Sequence, residues 1–463
     1  MRAGLAVVLL VLAVQTSAGP DWATVEVETL KHFQALLRFD TADPPGREEE
    51  AVAYLRRVLE AEAIPVESYA LEPHRPNLVA RLRGSGRKRP LLLMGHTDVV
   101  NVDPQKWTFP PFSATRDGGY VYARGAVDDK DNVAASLMVM LLLKRLNVPL
   151  DRDVIFLAES GEEGSTRVGI QFMVNQHFAA IDAEYCLAEG GNVTREGGAA
   201  KFASVQTLEK RPYNVQLVAR GPAGHGSVPL QTNAIARLAA AVTAVAKWTP
   251  PIRLNETTSA YFRRLAEISA PEQAARYRAV LDPATAAAAD AYFREHEPRH
   301  ASMLRTSVSP NIIQAGYRIN VIPSEATANL DVRALQDEDL PAFLDEIRKV
   351  INDPAVDVRL GTRDSRPPGV DARIDSEAFK TIESAMQKHY AVPTLPTMST
   401  GATDMAYLRS KGIQCYGVGP ALDIEDGPKG FGAHSDQERI LEAELHRFLR
   451  FYWDVVVQLA RRQ

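Results

Sequence analysis

From Leu91 onward, short unbroken apolar runs alternate with longer segments whose apolar residues return every three or four positions. Leu91–Met94, Val154–Ala158 and Tyr185–Leu187 are runs of the first kind and predict strands buried on both faces. Asn132–Leu146 and Val168–His177 are of the second kind and predict helices. Strands alternating with helices predict an α/β domain, with a mostly parallel central sheet flanked by helices. In such a sheet the ligand site lies at the carboxyl ends of the strands.

Beyond Lys210 the pattern changes. Tyr213–Gly221 and Ala326–Ala334 alternate apolar and polar residues, as half-exposed antiparallel strands do. Helices are expected at Asn233–Lys247 and about 338–351, with a short strand at Val356–Leu360 between the second helix and the turn-rich Asp364–Gly369. The stretch from Trp248 to Arg305 is rich in Ala and Arg and helical in pattern. A helix over Ser376–His389, a strand over Gln414–Val418 and a terminal helix over Glu438–Arg461 then return to the first pattern. The expected organisation is an α/β domain in two pieces, 19–209 and 364–463, around an inserted α+β module at 210–363.

The first 18 residues have a basic start at Arg2, an apolar run from Ala3 to Val14 and small residues at Ser17-Ala18. This is the pattern of a secretory signal peptide, so export to a periplasmic or extracellular space is expected, with no membrane span left after cleavage. A chain of 463 residues, 45% hydrophobic, can bury more than one core. A net charge of −5 and the lack of a basic stripe exclude nucleic acid as an expected partner. Cys186 and Cys415 lie in strand-like runs and read as buried free thiols, although export would permit a disulfide.

Five places share one local design: a glycine-containing loop that carries a residue of metal-ligand type. They are His96-Thr97-Asp98 after LLLMG, Asp128-Asp129 in YARGAVDDKDN, Glu162-Glu163 in SGEEGS, Glu189 in CLAEGG and His434 in FGAHSD. A lone histidine or an acidic pair on a loop is usually solvated surface. Two histidines and several carboxylates gathered at strand ends of one sheet suit a binuclear zinc site. Each metal would take one histidine and one terminal carboxylate, a further carboxylate would bridge, and a water between the metals would need a base. Adjacent Glu162 and Glu163 can divide those tasks, one binding metal and its neighbour taking the proton, with the metal charge relieving their repulsion.

With these motifs the chain resembles, from about Leu91 to its C-terminus, the co-catalytic zinc peptidase family of aminoacylase, glutamate carboxypeptidase, carnosine dipeptidases and succinyl-diaminopimelate desuccinylase. The family's H-x-D is His96-Thr97-Asp98, its R-G-x-x-D-[DM]-K is Arg124 to Lys130, and its E-E-x-G/S is Glu162 to Ser165. The resemblance implies that His96 and Glu189 hold one metal and His434 and Glu163 the other. Asp128 would bridge them, Glu162 would be the general base, and Asp98 would orient the His96 ring. It implies a cis peptide at Asp128–Asp129. It also implies that the inserted domain is a lid that mediates homodimerisation. In GPAGHGSVP, His225 would stabilise the oxyanion, in some relatives from the partner subunit. In GYRINVIPSEATANLDVR, Asn320 would contact the scissile carbonyl and Arg333 the substrate's free carboxylate. Thr400 and Gly401 of MSTGATD match a substrate-carboxylate loop. The length of the Trp248–Arg305 segment, with Trp107–Ala114 and Ala301–Gly316, is closest to the carboxypeptidase S-like branch. Some members of that branch read D-E-G-G where this chain has Ala188-Glu189-Gly190-Gly191, so Glu189 is the one ligand available there.

The expected function is hydrolysis of the amide bond of a small peptide or N-acyl amino acid that bears a free C-terminal carboxylate. The expected cofactor is two zinc ions per subunit, with cobalt or manganese as alternative metals. The rival readings are a zinc aminopeptidase, which would need an acidic anchor for a substrate amine, and a binding protein that kept the fold without catalysis.

Overall fold

The computed structural model describes residues 19–361 and 366–462. The expected leader, 1–18, and the start of the turn-rich Asp364–Gly369 segment lie outside them. The alternation along the chain becomes a ten-stranded sheet whose order is Val66–Ala70, Pro76–Leu82, Val154–Glu159, Leu91–His96, Tyr185–Ala188, Gln414–Gly417, Ala199–Glu209, Asn192–Glu196 and Ala421–Asp423, with Thr394–Ser399 paired to Ala199–Glu209. At its heart Val154–Glu159, Leu91–His96, Tyr185–Ala188 and Gln414–Gly417 run parallel. Both faces are covered, which is why these strands read as unbroken apolar runs. Leu91, Leu93 and Phe156 join one core, and Leu92, Met94, Ile155 and Leu157 join the other.

The helix Lys130–Arg145 is the centre of the first core. Every residue from Lys130 to Leu143 is buried, as expected of a helix that is apolar on all sides. It packs close to the strand before the site. A Cβ at Gly95 would stand 2.9 Å from Asp129 Oδ2 and 3.0 Å from Val133 Cγ2, so only glycine allows this approach. Cys186 and Cys415 are buried, free and opposite one another on neighbouring parallel strands.

Two parts of the domain were not legible in the pattern. The segment before Leu91 supplies the helices Trp22–Leu37 and Glu49–Ala61 and two strands of the sheet. The terminal helix starts at Glu442, not Glu438. Glu438 is instead a fully buried acceptor: its carboxylate takes Arg124 Nη1 at 2.7 Å and the N–H groups of Gly125 and Val127 at 3.0 and 2.7 Å. Arg439–Leu441 then pairs with Tyr120–Tyr122. A tertiary partner for the carboxylate outweighs its helix propensity.

The inserted region forms a four-stranded antiparallel sheet, Ser307–Ala315, Glu325–Ala334, Arg211–Arg220 and Val356–Leu360. The helices Ala234–Lys247 and Leu340–Ile351 share its core. Their starts are capped by Asn233, which accepts from the Ile235 N–H, and Asp339, which accepts from the Ala342 N–H. The Trp248–Arg305 stretch is helical as expected, in four pieces from Glu256 to Met303. Those helices share a core with Leu208, Leu395 and Met398 of the large sheet. Among the described residues no helix is long and apolar enough to cross a membrane.

Candidate active site

His96 is the last residue of its strand and Asp98 lies two residues on, both buried. The His96 ring donates through Nδ1 to the Asp98 main-chain oxygen at 3.0 Å, with the Asp98 carboxylate 3.6 Å away. That carboxylate has a second task. It accepts the N–H groups of Gly161, Glu162 and Glu163 at 2.8, 3.2 and 2.9 Å. Each such charge-assisted bond contributes about 1.5–3 kcal/mol, so three together offset the several kcal/mol that burial of an ion costs. Asp98 thus clamps the loop carrying the two glutamates. Gly161, at φ +81°, supplies the left-handed turn that the clamp needs. Burial alone would raise the Asp98 carboxyl, but His96 and the loop N–H groups hold it below its usual value.

His96 Nε2 stands 3.1 Å from Asp128 Oδ1, and His434 Nε2 stands 3.1 Å from Asp128 Oδ2. The two imidazoles therefore face the two oxygens of one carboxylate. His434 Nε2 is also 2.9 Å from Glu163 Oε1. Ligand atoms of His96, Asp128 and Glu189 lie within 4.8 Å of one another, and so do those of Asp128, Glu163 and His434. The peptide between Asp128 and Asp129 is cis.

A third acidic group, Asp43, Glu48 and Asp98, has similar spacing. Arg75 fills it, with Nη2 at 2.6 Å from Asp43 and 2.7 Å from Glu48, so it is a buried ion cluster behind the site. Among the described residues no Arg or Lys side chain fills either of the first two groups in this way. Burial, and then Asp404, push the Glu162 carboxyl well above the usual range. Burial, and then Glu162 and Asp128, do the same to Glu189. Bonds to Asp128 and Glu163 draw His434 up to about 10. Crowded buried acids held by two imidazoles form a charge environment that a pair of divalent cations relieves. One imidazole and two carboxylates for each cation is a donor set that zinc accepts. The residues fit two metals sharing Asp128.

The residues expected to meet the substrate are placed separately. His225 is exposed, hydrogen-bonded through Nδ1 to Ser227 Oγ at 2.7 Å. It pairs with Val321 in a two-stranded ribbon, and the Gly226 N–H donates to the Asn320 carbonyl at 2.8 Å, so His225 and Asn320 are neighbours. Arg333 is held by Asp331, through Nε at 2.8 Å and Nη2 at 3.1 Å. Thr400 and Gly401 follow the strand Thr394–Ser399, beside the base of the lid, where the Lys210 N–H donates to Ser399 O at 3.0 Å. Among the described residues no hydrogen bond or ion pair joins these five to the metal-ligand groups.

Two residues at the site escaped the sequence reading. Arg366, from the turn-rich stretch, reaches Glu162 Oε1 at 3.2 Å and also pairs with Asp404. Asp404 lay within the quoted MSTGATD motif and was the available signal. Arg366 had none, because its contact with Glu162 spans 204 residues of sequence.

The fold and this site define a metallohydrolase, and the model of the peptidase family M20/M25/M40 matches residues 92–458. The chain belongs to that family and is a hydrolase of its carboxypeptidase, dipeptidase or aminoacylase type. It is 29% identical over 384 residues to a probable carboxypeptidase S-like protein 2 of Dictyostelium discoideum, covering 80% of this chain and 71% of that one. It is 26% identical over 380 residues to the human N-fatty-acyl-amino acid synthase/hydrolase PM20D1, covering 80% and 74%. Its fold matches the M20 family metallo-carboxypeptidase Sso-CP2 of Sulfolobus solfataricus with a TM-score of 0.70 at 20% identity, over 93% of this chain and 98% of that one.

Proposed function

We propose that the chain is an exported binuclear zinc hydrolase that cleaves the amide bond of a short peptide or an N-acyl amino acid with a free C-terminal carboxylate. The observation that carries this reading is the pair of ligand triplets joined on the two oxygens of Asp128. Divalent cations held by the two triplets would acidify a water and polarise the scissile carbonyl. His96 and Glu189 hold one side, His434 and Glu163 the other. Glu162, next in sequence to a ligand, takes a proton from the attacking water and returns it to the leaving nitrogen, so that the C–N bond breaks to a free acid and an amine. Asp98 keeps Glu162 and Glu163 at their separate posts by binding both N–H groups.

Recognition falls to the lid. Asp331 occupies the Nε side of the Arg333 fork, which leaves its Nη1 edge for a substrate carboxylate. His225 and Asn320 donate to the developing oxyanion, and the loop of Thr400 and Gly401 meets the substrate carboxylate. The substrate class is supported by the activities for which the relatives are named. The edge strand of the inserted sheet and the loop after it expose Ile312, Ile313, Tyr317 and Ile319, and Ile319 is fully exposed among the described residues. Such an apolar edge supports pairing with a second copy.

A double-mutant cycle tests the substrate class. Zinc-loaded enzyme is assayed on N-acyl amino acids and dipeptides, each as free acid and as C-terminal amide, with Arg333 and with Arg333→Lys. Amidation is expected to cost the wild type on the order of 100-fold in kcat/KM and the variant much less, because Lys cannot reproduce the planar fork. Equal cleavage of acid and amide by the wild type would overturn the carboxylate reading in favour of an aminopeptidase.

A further inference from the structure

Arg366 lies in a proline-rich stretch that carries none of the proposed metal ligands. Its side chain is 12% exposed, against 10% for Glu162 and 1% for Asp404. Nη2 donates to Glu162 Oε1 at 3.2 Å, and Nη1 donates to Asp404 Oδ1. The guanidinium lies over the Tyr407 ring, 5.3 Å from its centroid. Tyr407 is itself fixed, its hydroxyl accepting from Gln171 Nε2 at 2.7 Å and lying 3.3 Å from Thr166 Oγ1. Behind it the chain is tied down where the Gly369 N–H donates to Gln336 Oε1 at 3.2 Å and Gln336 donates to the Glu209 carbonyl at 2.7 Å. The fork is therefore held by a ring, by two acids and by its own backbone.

Among the described residues the Glu162 carboxylate receives one side-chain hydrogen bond, and it comes from Arg366. Asp98 fixes only the Glu162 backbone, which leaves the side-chain torsions unset. A general base works when its oxygen stays within about 2.6–3.2 Å of the proton it takes. Asp404 is a second buried acid beside it, and without a shared cation the two would repel. A guanidinium can bridge two carboxylates on its two edges; an ammonium has no fixed fork with which to do so.

Resting on the proposed hydrolase function, we propose that Arg366 is a positioning residue that aims the Glu162 carboxylate at the attacking water while holding Asp404 alongside. It acts through Glu162 and touches no substrate.

The test uses zinc-loaded full-length enzyme on the free-acid panel. Arg366→Ala is expected to lower kcat on the order of 100-fold, a typical contribution of a well-placed general base, with KM little changed and two zinc ions per chain retained. Added guanidinium chloride at low millimolar concentration restores part of that loss, and sodium chloride at equal ionic strength does not. In a Glu162→Gln background the same substitution costs little more, because the two residues act as one unit. Wild-type kcat in Arg366→Ala, or an undiminished loss in the Glu162→Gln background, would overturn the proposal. So would a loss confined to KM for free acids and absent for amides, which would make Arg366 a substrate anchor. If the alanine variant does not fold, Arg366→Lys carries the test: it keeps the charge without the fork, so a folded, zinc-bound lysine variant with wild-type kcat sinks the idea. A wild type that cleaves nothing in the panel refutes the hydrolase reading instead, whatever the variants do.

Discussion

Glu162 and Glu163 are neighbours in sequence with different partners in space. Glu163 Oε1 lies 2.9 Å from His434, and Glu162 Oε1 lies 3.2 Å from Arg366. Asp98 fixes both backbones, and Arg366 and His434 hold the two side chains apart. Glu162→Gln is therefore expected to retain both metals and lose turnover by about 10²–10⁴-fold. Glu163→Gln is expected to lose one metal. Metal content by mass spectrometry beside single-turnover rates separates the two; zinc loss in Glu162→Gln with retention in Glu163→Gln would reverse the assignment.

At the scale of elements, the strand Arg211–Arg220 of the inserted region continues the sheet strand Ala199–Glu209 with Lys210 between them. Lys210 is fully buried, and its ammonium donates to Ser302 and Ser307 at 3.1 Å each. Burial, with Arg305 and Arg333 nearby, pulls its pKa from 10.5 down to about 7. Between those values the unfolded chain holds a proton that the folded chain has released, so this group makes stability rise with pH across that window. Lys210→Met lacks the slope. Urea midpoints at neutral pH and near the pKa of free lysine are expected to converge for variant and wild type at the alkaline end. A gap that is constant with pH would show that Lys210 stays charged when folded.

At the scale of the molecule, His225 and Asn320 lie in the inserted region, whereas Glu162 lies in the loop after the sheet strand Val154–Glu159. If the apolar lid edge pairs two copies and His225 serves the partner's site, inactive His225→Ala and inactive Glu162→Gln proteins will complement one another. Mixing them after gentle dissociation is expected to restore up to about a quarter of wild-type activity, since one site in each mixed dimer has both groups. A failure to recover any activity, with mixed dimers demonstrated by native mass spectrometry, would place His225 in its own subunit's site.

The sequence by itself determined the parallel sheet, because strands buried on both faces must be apolar throughout, and it marked residues that the fold gathers at the candidate site, because metal chemistry restricts residue types. His96, Asp128, Glu163, Glu189 and His434 could be read in that way as candidate ligands, with Glu162 as the acid beside them. Tertiary structure alone decided that Glu438 is a buried acceptor and not a helix start, that the helices from Glu256 to Met303 share a core with the large sheet, and that Arg366 meets Glu162. Each of these rests on a contact between residues far apart in the chain. Local periodicity and motif spacing carry no information about such contacts, since a guanidinium in a proline-rich turn looks the same in sequence whether it meets water or a buried acid.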